Sequence, residues 1–393
     1  MATLLLVVIY VGYISLGIPD SLFGAAWPAM QEHFGLCVSL GGAVSVICSV
    51  GTFCSSLASG RLIARFGTYA VTLCSTAMTA LALLCMSFVP SFYLLLLLCV
   101  PLGLGAGAID SALNGYVALH YSARQMNFLH CFYGVGVMIS PILVSFALRL
   151  LGGFRAGFFW VSVLQLFITL LLALSLPLWR RARREVSERE EQETLSVRAM
   201  LRIRGVFGVW LLFFSSCALE FTVGTWGATF LVYVKGADAS LGALLVALYY
   251  GGITLGRLAS GLLAPLVGSR RLVLCCGGFL VLPVTALFFV SSPILAALSL
   301  FLIGFFNGPI YPNLMHLTPS LFGRARAQSL TGSFLAVACV GITVAPALFG
   351  ALSDRLGVAF FAPFLLALLL LLLAALFGCA LVKRGSEKDG TCN

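Results

Sequence analysis

Three carboxylic acids stand inside long apolar runs of the chain: Asp20, Asp110 and Glu220. If those runs cross a bilayer, each ionised carboxylate at mid-depth costs ~2.5–3.5 kcal/mol on insertion scales. The cost is avoided by facing a wet cavity, by finding a partner, or by taking up a proton. A carboxyl whose proton affinity changes with access is a natural proton carrier, so these three are the coupling candidates. Asp20 follows Pro19 in the run GIPDS. Proline removes a backbone hydrogen bond and is expected to bend the helix, and the freed carbonyl must face protein or water. Asp110 lies in GLGAGAIDSALNGY, whose glycines allow close helix approach. Its alternative is a carboxyl held by neighbouring Ser, Asn or backbone groups. Glu220 occupies the position in the second half equivalent to Asp20, and its alternative is a hydrogen bond linking the halves.

Other polar side chains in apolar surroundings complete the candidate set. Asn114 is one turn beyond Asp110, on the same face. Counted from the turn near Ser122, Asn114 and His130 are equally distant, so on antiparallel helices they sit at similar depth. Asn127, Tyr133, Trp27, Trp226, Tyr249, Tyr250, Asn307 and Tyr311 are candidate lining residues, because aromatics stack on sugar faces and amides bond hydroxyls. For the aromatics, packing or lipid contact is the competing role. Arg257, in GGITLGRLASG, can snorkel or pair with a carboxylate, which suits a structural or gating role. His33, His120 and His316 read as loop or span-end residues.

What must position these groups is a membrane-spanning helical scaffold. Hydrophobic residues make up 61% and charged residues 9% of 393, against roughly 45–50% and about 25% in soluble domains. Mean hydropathy is +1.09. A spanning helix needs roughly 20 apolar residues, and division at Gly, Pro and charge clusters predicts twelve: 3–30, 38–60, 69–89, 92–119, 126–150, 155–179, 206–233, 240–264, 271–291, 293–318, 326–352 and 358–382. Long continuous apolar runs favour helices over a barrel. The first run lacks a basic leader and reads as a retained span, without a cleavable signal peptide. The 13 cysteines show no zinc-like spacing and read as packing residues. No metal or cofactor is expected.

Of the 23 basic residues, Arg149, Arg155, Lys235 and Arg355 fall on one face and Arg257 within a span; the other eighteen lie on the face of the termini. That is the positive-inside pattern, which puts both termini in the cytoplasm and excludes a nucleic-acid role for the net charge of +10. The polar stretch Arg180–Arg204 separates six spans from six, giving an N-terminal bundle (1–179), a cytoplasmic linker (180–204) and a C-terminal bundle with a short tail (205–393). Part of the linker suits an amphipathic surface helix.

The halves repeat. Asp20, Gly24 and Trp27 match Glu220, Gly224 and Trp226; LASG recurs at Leu57–Gly60 and Leu258–Gly261; Gly67 matches Gly268. Gly107 and Asp110 align with Gly308 and Tyr311, and Gly136 and Pro141 with Gly341 and Pro346. Six spans per half keep both repeats in one orientation, related by an axis along the membrane normal. The fold class is therefore all-α integral membrane, twelve helices in two pseudo-symmetric six-helix bundles.

On these runs the chain resembles the major facilitator superfamily. GRLIARFG at Gly60–Gly67, with Arg61, Arg65 and Gly67, is similar to the superfamily's loop motif between helices 2 and 3, but Ala64 stands where an Asp is usual. GALSDRLG at Gly350–Gly357, with Asp354 and Arg355, resembles the complete motif on the opposite face. GIPDSLFGAAWPAM at Gly17, GAGAIDSALNGYV at Gly105, LHCFYGVGVMISP at Leu129 and YYGGITLGRLASG at Tyr249 resemble the fucose–galactose–glucose proton symporter group and its sodium-dependent glucose transporter-like relatives. The resemblance implies that Asp20 and Asp110 match acids used there for proton coupling and sugar recognition, the second being Asp where Glu is usual. The expectation is a secondary transporter, monomeric, in the plasma or inner membrane. It would carry a sugar or similar small polar solute with a proton or sodium ion by alternating access. The rival is a proton-antiport exporter of drugs or metabolites; a non-transporting sensor is more remote. No nucleotide loop, metal constellation or hydrolytic triad points to an enzyme.

Overall fold

The computed structural model describes residues 2–121, 123–182 and 197–389, with the side chains at 2, 3, 57, 60, 64, 118, 119, 123, 124, 126, 127, 181, 182, 197, 324, 325, 327–329 and 379–389 outside that description. Among the described residues there is no strand. The first half holds α1 (Ala2–Phe34), α2 (Leu40–Phe66), α3 (Thr68–Phe88), α4 (Phe92–His120), α5 (Ala123–Leu150) and α6 (Phe154–Leu174). Short helices α7 (Leu176–Ala182) and α8 (Val197–Leu201) follow, and residues 183–196 of the expected linker lie outside the described residues. The second half holds α9 (Val206–Tyr233), α10 (Ala239–Val267), α11 (Ser269–Phe279), α12 (Val281–Phe289), α13 (Pro293–Asn307), α14 (Ile310–Phe322), α15 (Arg324–Leu356) and α16 (Phe361–Asp389).

Among the described residues, eleven spans are long and apolar enough to cross a membrane, counting α11 with α12 and α13 with α14 as one span each. The twelfth, α2, is apolar over Leu40–Ser56 and ends in turns carrying Arg61 and Arg65. The expected sixth span, 155–179, is shorter: α6 stops at Ser175, whose Oγ turns back to the Leu172 carbonyl, and α7 begins after it. The expected tenth span is interrupted at Gly308 and Pro309.

The sequence repeat is a packing repeat. A Cβ at Gly103 would overlap Cys48 of α2, and one at Gly304 would overlap Tyr249 of α10; Gly107 meets Thr52 as Gly308 meets Ile253. Gly136 of α5 abuts the Ile14 carbonyl of α1, and Gly341 of α15 abuts that of Phe214 in α9. Helices approach this closely only where Cβ is missing. Gly24 of α1 and Gly224 of α9, equivalent positions, touch each other across the halves. The turns repeat as well: Gly67 and Gly268 close the loops after α2 and α10 with φ of 83° and 86°, which side chains disfavour.

Proline chemistry decides the internal hydrogen bonding of these helices. α1 runs unbroken through Pro19. The Ser15 carbonyl, deprived of its Pro19 N–H, is taken by Gln165 of α6, whose Nε2 donates to it at 3.1 Å and lies 2.7 Å from Ser15 Oγ and 2.9 Å from Thr79 Oγ1. Gln165 is fully buried. Gln165→Leu should therefore cost about 1–3 kcal/mol, the penalty for an unsatisfied buried carbonyl, read as a lower Tm in detergent; an unchanged Tm would show that the carbonyl finds another donor.

The halves meet at the face where α1 ends, here the far face; the opposite one carries α7 and α8. On the far face the Ser39 N–H at the start of α2 donates to the Asp354 carboxylate (3.1 Å), and Ser145 and Ser240 pair at 3.2 Å. Within the second half, behind these contacts, Trp226 Nε1 donates to the Pro346 carbonyl, 2.9 Å. With the Gly24–Gly224 crossing beneath them, these contacts seal that face.

Candidate functional site

Immediately on the linker side of the Gly24–Gly224 crossing lies a midplane cavity of about 20 Å³, lined by Asp20, Tyr133 and Val137 of the first half and by Glu220, Phe221, Gly224, Thr225 and Tyr250 of the second. The pocket itself has room for about one water. Asp20 is exposed, and the crossing one turn beyond it closes the way to the far face. Its access is therefore from the linker face.

Each acid has its own setting. Asp20 Oδ2 accepts the Tyr133 hydroxyl at 2.7 Å. Asp110 Oδ1 accepts the Tyr13 hydroxyl at 2.6 Å and Asn114 Nδ2 at 2.9 Å. The Tyr13 ring stands edge-on to His130 (5.7 Å) and to Tyr133 (6.5 Å), so one aromatic run connects the two acids. Glu220 differs: it receives Arg257 Nη2 at 3.0 and 3.3 Å. Among the described residues, neither Asp20 nor Asp110 has an ion-pair partner. Glu220 thus faces a compensating charge, whereas the hydrogen-bond partners of Asp20 and Asp110 are neutral hydroxyl and amide groups.

Arg257 is itself positioned by proline. Pro312 offers no N–H to the Gly308 carbonyl, which instead accepts Arg257 Nε at 3.3 Å. The interruption between α13 and α14 thus supplies an acceptor at membrane depth, as irregular backbone there requires. Tyr249 Oη donates to the Glu220 backbone carbonyl at 2.9 Å, fixing the same turn.

The sequence candidates separate accordingly. Asp20, Tyr133, Glu220 and Tyr250 come together on the cavity; Asp110, Asn114 and His130 gather around Tyr13. Trp27 and Trp226 are buried away from the cavity, packing on Phe92 and on Phe349. Tyr249 is fully buried beneath Glu220, Asn307 is bonded to Ser216, and Tyr311 stands edge-on to Phe213. The side chain of Asn127 lies outside the described residues. Arg61 and Arg65 are exposed, Arg65 over the Phe66 ring, while Asp354 and Arg355 are exposed at the far face. Thr225, Phe221, Val137 and Tyr13 were not foreseen. Tyr13 had a signal: it precedes Asp20 by seven residues, two helical turns on one face.

Comparison with known proteins accords with this architecture. The family model described as Major Facilitator Superfamily matches residues 9–346 and 236–391. Bypass of stop codon protein 6 of Saccharomyces cerevisiae is 24% identical over 381 residues, covering 88% of this chain and 76% of that protein. The glucose/mannose transporter GlcP of Bacillus subtilis is 20% identical over 358 residues, covering 87% and 86%. Among solved structures, a bacterial homologue of the human lysosomal transporter Spinster, inward-facing and occupied, superposes with a TM-score of 0.70 at 14% identity, covering 98% of this chain and 97% of that one. A point mutant of the nucleoside transporter NupG gives a TM-score of 0.73 at 14% identity, covering 95% and 98%. The family match spans most of the chain, and the fold agrees with it: this protein belongs to the Major Facilitator Superfamily.

Proposed function

We propose that this membrane transporter carries a small polar solute, of the sugar type, together with a proton. The two bundles, 1–179 and 205–393 joined by the linker 180–204, would rock about the midplane cavity. The observation that carries the reading is the contrast among the acids. Asp20 faces the cavity with a tyrosine as its hydrogen-bond partner, while Glu220 across from it is held by Arg257. Asp20 is the proton carrier in this reading, Asp110 with Tyr13 and Asn114 is a second protonatable group, and Glu220 with Arg257 is a fixed charge pair that shapes the site. Asp20, Tyr133, Glu220, Thr225 and Tyr250 among the lining residues carry groups able to bond hydroxyls, which supports a hydroxyl-bearing solute over the amphiphile of a drug exporter. Similarity to a glucose/mannose transporter supports the same solute class. The basic bias toward the linker face supports cytoplasmic termini and a plasma or inner membrane setting.

The test is uptake of a labelled hexose panel into proteoliposomes with an inward proton gradient, with sodium, and with neither. Stimulation by protons is the expected result, with Asp110→Asn slowing net uptake at least about tenfold. Stimulation by sodium alone would replace the proton as coupling ion, and no hexose flux under any gradient would overturn the sugar assignment.

A further inference from the structure

Tyr250 of α10 lines the midplane cavity with its ring packed away, the residue being only 7% exposed. Its hydroxyl has no hydrogen-bond partner among the described residues and is not sealed from the cavity. The other tyrosines about the site are engaged. Tyr133 donates to Asp20 at 2.7 Å, Tyr13 to Asp110 at 2.6 Å, and Tyr249 to the Glu220 backbone carbonyl at 2.9 Å. Buried polar groups are bonded in nearly every folded protein, so a free hydroxyl on a cavity wall asks for a partner from outside.

Gly224 keeps the hydroxyl in place. A Cβ there would stand 2.5 Å from Tyr250 Oη and 3.4 Å from Cζ, and its three nearest atoms would all belong to Tyr250. The missing side chain is the seat of the hydroxyl. The carbonyl of the same glycine abuts Gly24, so the seat is part of the crossing between the halves. Glu220 lines the same cavity and supplies an acceptor. Arg257 takes up part of that carboxylate, at 3.0 and 3.3 Å, but two carboxylate oxygens offer about four acceptor positions. The pocket of about 20 Å³ is the size of one water, and therefore of one hydroxyl group. A solute hydroxyl suits it because it donates one hydrogen bond and accepts others, answering a carboxylate and the Tyr250 O–H together.

We infer that Tyr250 is a specificity-determining residue of the site: its O–H donates to one hydroxyl of the solute, that hydroxyl donates to Glu220, and Gly224 is the seat that holds the tyrosine in position. The inference rests on the sugar-type reading above and adds to it the group that reads the hydroxyl.

The test is equilibrium binding by calorimetry on the full-length protein in nanodiscs, with glucose and a panel of glucoses each lacking one hydroxyl. In the wild type, one deoxy analogue should bind about five- to tenfold more weakly than glucose, the worth of one hydrogen bond. Tyr250→Phe should weaken glucose by the same factor and leave that analogue unchanged. Its Tm should not fall, since the hydroxyl it removes bonds nothing within the protein. Equal glucose affinity in Tyr250→Phe, or a loss shared by every analogue, would overturn the role of Tyr250. Gly224→Ala should lower Tm by forcing the hydroxyl aside. Adding Tyr250→Phe leaves the new methyl in ordinary contact with the ring and should restore it; a double variant as unstable as Gly224→Ala alone overturns the seat. Absence of hexose binding by the wild type would overturn the sugar reading and this inference together, whereas hexose binding that ignores Tyr250 overturns this inference alone.

Discussion

Asp20→Asn should abolish gradient-driven accumulation while leaving solute exchange in place. One proton moving with each solute down a potential of 100 mV supplies ~2.3 kcal/mol, equivalent to an accumulation of about fifty-fold. Asn keeps the size of the side chain and can still accept the Tyr133 hydroxyl, but it cannot bind a proton. The accumulation ratio in proteoliposomes should then fall from about fifty to about one, whereas counterflow, in which labelled solute exchanges for unlabelled, needs no net proton movement and should persist. Undiminished accumulation in Asp20→Asn would move the coupling role elsewhere, first to Asp110. Loss of counterflow as well would make Asp20 a solute-binding group instead of a proton carrier. The prediction rests on Asp20 having a neutral partner and an open side.

Arg257→Met should be the most destabilising single change in the second half. The ion pair is nearly buried, with the two side chains 10% and 12% exposed. Removing the guanidinium leaves Glu220 charged and unmatched and also takes the donor from the Gly308 carbonyl. Breaking a buried pair from one side costs about 3–5 kcal/mol, because the surviving charge has lost its compensation, not because the pair itself was strongly stabilising. Glu220→Gln added to Arg257→Met removes that charge and should recover most of the loss. Thermal unfolding in detergent decides it: a single variant as stable as the wild type would mean that water compensates Glu220 in the cavity. A double variant no better than the single would place the cost at the Gly308 carbonyl. The result bears on mechanism, since a carboxyl tied to Arg257 is a fixed feature that a solute hydroxyl can meet.

Composition by itself determined that the chain is a membrane-embedded helical protein, because 9% charge cannot cover a water-facing surface. The offset between Asp20–Gly24 and Glu220–Gly224, with the matched LASG runs and glycines, determined the two-fold repeat, since close helix crossings can be made only where Cβ is absent. Depth in the membrane follows from position along a helix, so Asn114 and His130 could be read as lying at similar depth from a count of residues. What no single helix encodes is which side chain across the gap answers each charge. Glu220 and Asp20 occupy matching positions, yet only tertiary packing gave the first an arginine from α10 and the second a tyrosine from α5. The same packing turned Tyr249 under Glu220 and put its neighbour Tyr250 on the cavity, because a rotation of about 100° per residue separates adjacent side chains and only the bundle decides which of them faces inward. Trp27 and Trp226 were drawn into packing for a related reason: at the level where α1 and α9 begin to diverge, the space beside each helix is filled by its own half. The Gln165 bond to Ser15 completes the pattern, for Pro19 announced in the sequence that a carbonyl would be left over, while the donor came from a helix more than a hundred residues away.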